Sequence, residues 1–254
     1  DLNATSFGSN PNGLVNSGGA LYFVANNGTD GAELWRVDPS SGIVSQLEIN
    51  PGSSGSSISD PIDVGGILYF NGYHSTLGSS LYRITSNTAQ PERVELTQGS
   101  SSHAYEMINV NGTLVFRASN GGNGNELWQI KPGESPSVID LRPGSSGSYP
   151  RKLFNANGQL FFTADDGSGS GTELWTLDLT TGTALMLQDI RPGSSSSYPD
   201  QLIYSDGQVF FTADDGSSGQ ELWVSDGTTN GTSQVQDLNA TSFGSNPNGL
   251  VNSG

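Results

Sequence analysis

Short apolar bursts, separated by polar stretches that carry glycine, run the length of the chain. They read Leu21-Tyr22-Phe23-Val24, Ile67-Leu68-Tyr69-Phe70, Leu114-Val115-Phe116, Leu160-Phe161-Phe162 and Val209-Phe210-Phe211. Runs this brief, apolar at successive positions and rich in aromatic and branched side chains, predict strands buried on both faces. Past each burst and a polar turn comes a leucine followed by an aromatic: Leu34-Trp35, Leu81-Tyr82, Leu127-Trp128, Leu174-Trp175 and Leu222-Trp223. Successive aromatics lie 47, 46, 47 and 48 residues apart. A fixed period of this size is the mark of a tandem-repeat architecture.

Each repeat parses into four strands. A weak first strand (Gly13-Leu14-Val15, Gln201-Leu202-Ile203) precedes the burst, the leucine–aromatic strand follows it, and a fourth run such as residues 183–190 closes the repeat. Turns such as Asn26-Asn27-Gly28, Asp165-Asp166-Gly167 and Asp214-Asp215-Gly216 suit hairpins, because Asn, Asp and Gly tolerate positive φ. Four antiparallel strands per repeat, buried on both faces, predict an all-β fold: a β-propeller of five four-stranded blades of about 47 residues each. A linear β-solenoid is the alternative, but its coils are usually shorter and parallel. The expected repeats are residues 1–47, 48–94, 95–139, 140–188 and 189–236, with 237–254 beginning another. A loop with Pro and Gly and then a serine tract (Asp140-Leu141-Arg142-Pro143-Gly144, Asp189-Ile190-Arg191-Pro192-Gly193) would carry the chain from one blade to the next.

Composition supports this picture. With 35 Gly and 33% hydrophobic residues, the 254-residue chain suits thin apolar layers between repeats better than one large core. The formal charge of −16 repels nucleic acid and anionic membrane surfaces, and no apolar run is long enough for a membrane helix. Cysteine is absent, which removes disulfides and thiolate chemistry. The chain starts mid-motif at Asp1 without Met and reads as a piece of a longer polypeptide, with any targeting signal outside it.

The segment Glu221-Leu222-Trp223-Val224-Ser225-Asp226-Gly227-Thr228, with Gly231-Thr232 after it, resembles the ELWxxDGT repeat family. The Asp-Ile-x-Pro-Gly loop and the Phe-Phe-Thr-Ala-Asp-Asp-Gly strand and turn match as well. The resemblance extends over the chain at graded strength. Repeat four keeps Glu173-Leu174-Trp175 but has Asp178-Leu179-Thr180, and repeat two has Ser80-Leu81-Tyr82. It implies a large bacterial surface or secreted protein and brings no catalytic residues to carry over.

A second period is superposed on the first. Asp1 to Gly18 recurs unchanged as Asp237 to Gly254, an offset of 236 residues or five repeats. This points to near-identical five-repeat units in tandem. If five repeats close a ring, both copies of the first strand compete for one slot, so one copy is displaced or lies on a neighbouring unit. A strand donated in this way supplies main-chain hydrogen bonds between units.

The candidate sites are few. Asp165, Asp166, Asp214 and Asp215 form oxygen-rich turns that could hold Ca²⁺, the only cofactor the chain suggests; the competing reading is that Asx residues simply form good turns. Trp35, Tyr82, Trp128, Trp175 and Trp223 are expected to pack between blades, against the alternative of a ring of sugar-stacking platforms. Glu33, Glu126, Glu173 and Glu221 recur beside the tryptophan and are expected to satisfy backbone groups or to pair with residues of a neighbouring blade. The acids ending the fourth strand (Asp1, Glu48, Glu95, Asp140, Asp189, Asp237) are expected to share one structural job, such as receiving loop N–H groups, or a cation at each blade. His74 and His103 sit in unmatched loops, and two histidines without cysteine make no zinc site. Sequons begin at Asn3, Asn27, Asn111, Asn230 and Asn239. No nucleophile elbow or phosphate loop is present.

The sequence therefore points to a non-catalytic structural or interaction module of an extracellular or cell-surface bacterial repeat protein. It would act in adhesion, a surface layer or a filament, with other repeat units or chains as partners. A multivalent carbohydrate-binding propeller that takes surface glycans is the alternative. An enzyme working from a central channel ranks third.

Overall fold

A computed structural model describes residues 2–4, 7–85, 90–97, 102–239 and 241–252. Asp1, Thr5, Ser6, Ala240, Ser253 and Gly254 lie outside the described residues, and with them the fourth-strand acid at Asp1 and parts of the two end sequons and of both duplicated ends.

All regular structure among the described residues is β. Repeat one forms β1 (Asn12–Ser17), β2 (Ala20–Asn26), β3 (Ala32–Val37) and β4 (Val44–Leu47), and repeat two β5 (Ser59–Val64), β6 (Ile67–His74), β7 (Gly78–Ile84) and β8 (Glu92–Arg93). Repeat three contributes β9 (Tyr105–Val110), β10 (Thr113–Ser119), β11 (Asn125–Ile130) and β12 (Ser137–Ile139). Repeat four forms β13 (Arg151–Ala156), β14 (Gln159–Ala164), β15 (Glu173–Asp178) and β16 (Thr183–Met186). Repeat five forms β17 (Asp200–Ser205), β18 (Gln208–Asp214), β19 (Gln220–Ser225) and β20 (Ser233–Gln236). Each set of four is one meander sheet, so the chain carries five four-stranded blades and its fold class is that of a β-propeller. The fourth strand of repeat four is shorter than the run 183–190, although Leu187 continues the ladder by donating its N–H to the Leu174 carbonyl at 2.9 Å.

The chain divides into two compact units, Asp1–Gly121 with Gln129–Ser137 and Gly122–Trp128 with Val138–Gly254. The first holds blades one and two and the second blades four and five. In each, the apolar bursts show why consecutive positions are hydrophobic. Alternate residues of a strand point to opposite faces. In the first unit Tyr22, Leu34 and Leu47 of repeat one, with Ile49 of the loop after β4, pack against Leu68, Phe70 and Tyr82 of repeat two. In the second, Phe161, Leu174 and Leu187 of repeat four, with Ile190 of the loop that follows, pack against Val209, Phe211 and Trp223 of repeat five. The middle residue of a burst thus meets the following blade and its two neighbours meet the preceding one.

The first strand of each blade carries a bulge, seen as a register shift near its start. The residue there is left-handed: Gly13 (φ 61°), Asp60 (54°), Glu106 (53°), Lys152 (55°) and Gln201 (53°). A bulge bends the strand and raises its twist. Its recurrence in all five repeats is not visible as a residue preference, since only one of the five is glycine.

Candidate functional site

The recurring glutamates organise the joints between repeats. Each sits one residue before the Leu-aromatic pair, and all four are fully buried. Glu173 Oε2 accepts the Ile190 N–H at 3.2 Å and the Ser197 hydroxyl at 2.5 Å, and its Oε1 accepts the Ser197 N–H at 3.1 Å. Glu126 does the same with Leu141 N–H (3.2 Å), Ser148 N–H (2.6 Å) and the Ser148 hydroxyl (2.5 Å). Glu33 accepts the Ile49 N–H at 3.3 Å and the Ser56 hydroxyl. Glu221 accepts the Leu238 N–H at 3.5 Å, the Ser245 N–H at 2.6 Å and the Ser245 hydroxyl. In every case the donors lie on the loop that leaves the fourth strand.

The same serine also reaches forward. Its carbonyl accepts an N–H from the end of the next burst strand: Tyr73 to Ser56 (2.6 Å), Asp165 to Ser148 (3.0 Å), Asp214 to Ser197 (2.8 Å) and Asn26 to Ser9 (2.9 Å). Ser56, Ser148 and Ser197 therefore each link the third strand of one blade to the second strand of the next. The glycine before it must come close: a Cβ on Gly55, Gly147 or Gly244 would collide with the backbone of Ala32, Asn125 or Gln220, and each has φ of 66–68°. Repeat two, with Ser80 in place of glutamate, keeps the joint by other means. The Leu81 N–H donates to the Ser102 carbonyl at 3.0 Å, the Ser102 hydroxyl to the Val94 carbonyl at 2.9 Å, and Arg93 Nε to Ser80 Oγ at 3.1 Å.

Burial pushes the carboxyls of Glu33 and Glu126 above their usual range, opposed by the serine and backbone hydrogen bonds. For Glu173 burial wins by more, and its pKa rises to about 7. Removal from water penalises the charged form more than these donors stabilise it.

Two of the four turn aspartates meet an arginine. Arg142, on the loop into repeat four, pairs with Asp165 at 3.3 Å, and Arg191, on the loop into repeat five, pairs with Asp214 at 2.8 Å. Each guanidinium lies across the turn glycine, Gly167 or Gly216. The other oxygens cap their own turns: Asp165 accepts the Gly167 N–H, Asp166 that of Ser168, Asp214 that of Gly216, and Asp215 those of Ser217 and Ser218, at 2.7–2.9 Å. Burial pushes Asp215 up, but the N–H and hydroxyl groups of the two serines outweigh it and leave its carboxyl below the usual range. Among the described residues no three His, Asp or Glu side chains gather as a metal site.

The five aromatics Trp35, Tyr82, Trp128, Trp175 and Trp223 are all buried. Trp35 and Trp175 donate their indole N–H to the carbonyls of Ala25 (2.9 Å) and Ala164 (3.1 Å) in the adjacent strand. A ring enclosed this way offers no face to a sugar. The described fourth-strand acids differ in their partners. Asp140 accepts from the Asn123 side chain at 2.7 Å, Asp237 from the Asn239 N–H at 3.1 Å, and Glu95 pairs with Arg93 at 3.2 Å. The role expected of them belongs to the glutamates. His74 Nδ1 accepts the Thr76 N–H at 3.2 Å, and the His103 ring lies 4.5 Å from that of Tyr105. Burial holds the His103 imidazole below its usual pKa.

No protein-family model matches the chain, and no curated protein matches it. Its fold is similar to that of solved structures. Over 92% of its length it resembles 40% of a dipeptidyl peptidase 4 from Porphyromonas gingivalis, at 12% identity and a TM-score of 0.60. Over 89% it resembles 34% of a prolyl endopeptidase, at 15% identity and a TM-score of 0.53. Over 90% it resembles 37% of a puromycin-hydrolysing peptidase from Mycobacterium tuberculosis, at 15% identity and a TM-score of 0.50. The chain thus spans roughly a third to two fifths of these proteins, and at such identity the likeness is one of fold alone.

Proposed function

We propose that this chain is a non-catalytic structural module of a larger bacterial surface or secreted repeat protein, and that it works by linking blade to blade and unit to unit. The supporting observation is the joint at Glu221. The segment it holds, Leu238 to Ser245, belongs to the second copy of the chain's own opening sequence. The chemistry is that of the joints at Glu126 and Glu173, so the junction between 236-residue periods uses the same parts as the junctions within one. The acidity, the absence of cysteine and the resemblance to the ELWxxDGT repeats favour an extracellular setting in which such periods follow one another. The polar groups that converge do so on loop backbone and on one another, which favours a scaffold over a catalyst. Electron microscopy of the native parent protein tests this reading. Ordered fibres or sheets are expected, and isolated particles without order at high concentration would contradict it.

A further inference from the structure

One position in this fold repeatedly takes a left-handed backbone while its side chain varies. It lies one residue after the joint serine, where the loop turns into the first strand. Asn10, Ser57, Tyr149, Tyr198 and Asn246 stand there with φ of 45–51°. The joint imposes the conformation: the Tyr149 N–H donates to the Asn125 carbonyl and the Asn246 N–H to that of Gln220, both at 3.0 Å. Asparagine suits such a backbone because its short amide can bond locally. Asn246 Nδ2 does so with the Phe243 carbonyl at 3.0 Å. Tyrosine offers no such bond, and a bulky side chain is disfavoured at this φ. Burial does not offset the cost, since Tyr149 is 54% and Tyr198 66% exposed. The fold therefore has no need of tyrosine at this position, which Asn10 and Ser57 fill in the first unit.

Both tyrosines belong to the second unit, where they precede the first strands of blades four and five. Those strands, β13 and β17, lie in contact. An ion pair joins their starts: Lys152 Nζ stands 2.6 Å from Asp200 Oδ1. Lys152 occupies the bulge of β13, a device that re-aims a side chain. Asp200 also accepts the Gln201 N–H at 2.7 Å. The hydrogen bond from Lys152 outweighs desolvation and holds the Asp200 carboxyl below its usual range. Both side chains keep polar atoms in solvent, at 40% and 54% exposure. In the first unit the same two positions hold Gly13 with Ser59 and Asp60 with Tyr105, so the contact between first strands does not need an ion pair.

We propose that this edge of blades four and five is a carbohydrate-binding site, in which Tyr149 and Tyr198 stack on pyranose rings and the Lys152–Asp200 pair bonds their hydroxyls. The apolar C–H face of a pyranose can cover a flat tyrosine ring whose own hydroxyl stays wet. An ammonium beside a carboxylate offers a donor and an acceptor together, which is what two neighbouring hydroxyls take up. The exposed residues next to the rings are charged, namely Arg151, Lys152 and Asp200, whereas the core of a protein interface is depleted of charge. The stacking role that the buried tryptophans cannot fill thus passes to these tyrosines. The site is independent of the scaffold reading, which rests on the joints.

The test titrates the full chain with linear hexasaccharides of glucose, galactose, mannose and N-acetylglucosamine while NMR follows the ring resonances of Tyr149 and Tyr198. Saturable shifts at both rings with at least one of these sugars are expected. Tyr149→Asn and Tyr198→Asn place there the residue that repeat one carries. Each should weaken binding by about tenfold, the loss of one stacking contact. Each should also raise the thermal midpoint, because asparagine suits the backbone better. Tyr198→Phe, which keeps the ring, should still bind. No shift with any of the sugars, or binding that both asparagine variants retain, would overturn the site. A lower midpoint in those variants would make the tyrosines structural, and loss of self-association without loss of sugar binding would assign them to contacts between copies; either result overturns it as well.

Discussion

The same eighteen-residue sequence stands at both ends of the chain, and its described residues take different partners in the two copies. At the start, Asn12–Ser17 is a strand with Val15 packed on the blade-one core, while the loop before it lies open at Gly8. At the end the loop is clamped by Glu221, while Val251, the counterpart of Val15, is 82% exposed and its stretch is not a strand. Local sequence is identical, so the difference comes from tertiary partners alone. In the second copy the loop is held by the glutamate strand of the blade before it, whereas in the first copy Leu2 packs on Phe23 and Trp35 and the Ser9 carbonyl accepts the Asn26 N–H, all of the blade after it. A complete joint needs both neighbours.

This comparison can be broken most forcefully at the glutamates. Glu173→Ala leaves the Ile190 and Ser197 donors unpaired in a buried joint and should cost roughly 3 kcal/mol or more in denaturant unfolding. Glu221→Ala should leave the blades intact and release only residues 238–252 to proteolysis. Equal losses of global stability in the two variants would mean that the terminal joint is as integral as the internal one.

A second test uses pH. The Glu173 carboxyl titrates at its ordinary 4.5 when unfolded and at about 7 when folded. The folded state therefore binds the proton more tightly. That contribution is full below pH 4.5 and is lost as pH rises through about 7, amounting to about 3 kcal/mol at most. Unfolding free energy should fall between pH 5 and pH 8, and Glu173→Gln, which mimics the neutral carboxyl, should flatten the profile. An unchanged slope in that variant would remove Glu173 as its source.

Glycine gives a smaller and more local contrast. Gly8→Val should change stability by less than about 0.5 kcal/mol, because the site is open. Gly244→Val, the same substitution in the same sequence, should undock the C-terminal segment, as limited proteolysis would show. The smallest effect is at valine. Val15→Ala should cost roughly 1 kcal/mol and Val251→Ala almost nothing, and comparable costs would mean that residue 251 is buried in solution.

Much of this fold was legible in the sequence because its signals are local. The bursts, the Leu-aromatic pairs and the turn glycines each lie within a few residues, and they place all five blades. The joints were less legible. Glu126 meets Ser148, and Glu173 meets Ser197, across 22 and 24 residues, and the serine is one among many in its tract. A signal was nevertheless available for the ion pairs. The two repeats with an Asp-Asp-Gly turn are the two whose preceding loop has Arg in the Arg-Pro-Gly position, 23 residues upstream. The arginines that pair with Asp165 and Asp214 went unremarked because each is distant in sequence. That the duplicated ends would differ was legible, but which copy forms the strand was not, since identical residues carry identical signals.

Amide hydrogen exchange at Ser9 and Ser245, followed by NMR, tests the central claim most directly. The two residues occupy identical sequence contexts, and only Ser245 donates its N–H to a buried glutamate. Slow exchange at Ser245, fast exchange at Ser9, and loss of protection at Ser245 alone in Glu221→Ala are expected. Equal protection at the two serines, or protection of Ser245 that persists without Glu221, would contradict the account.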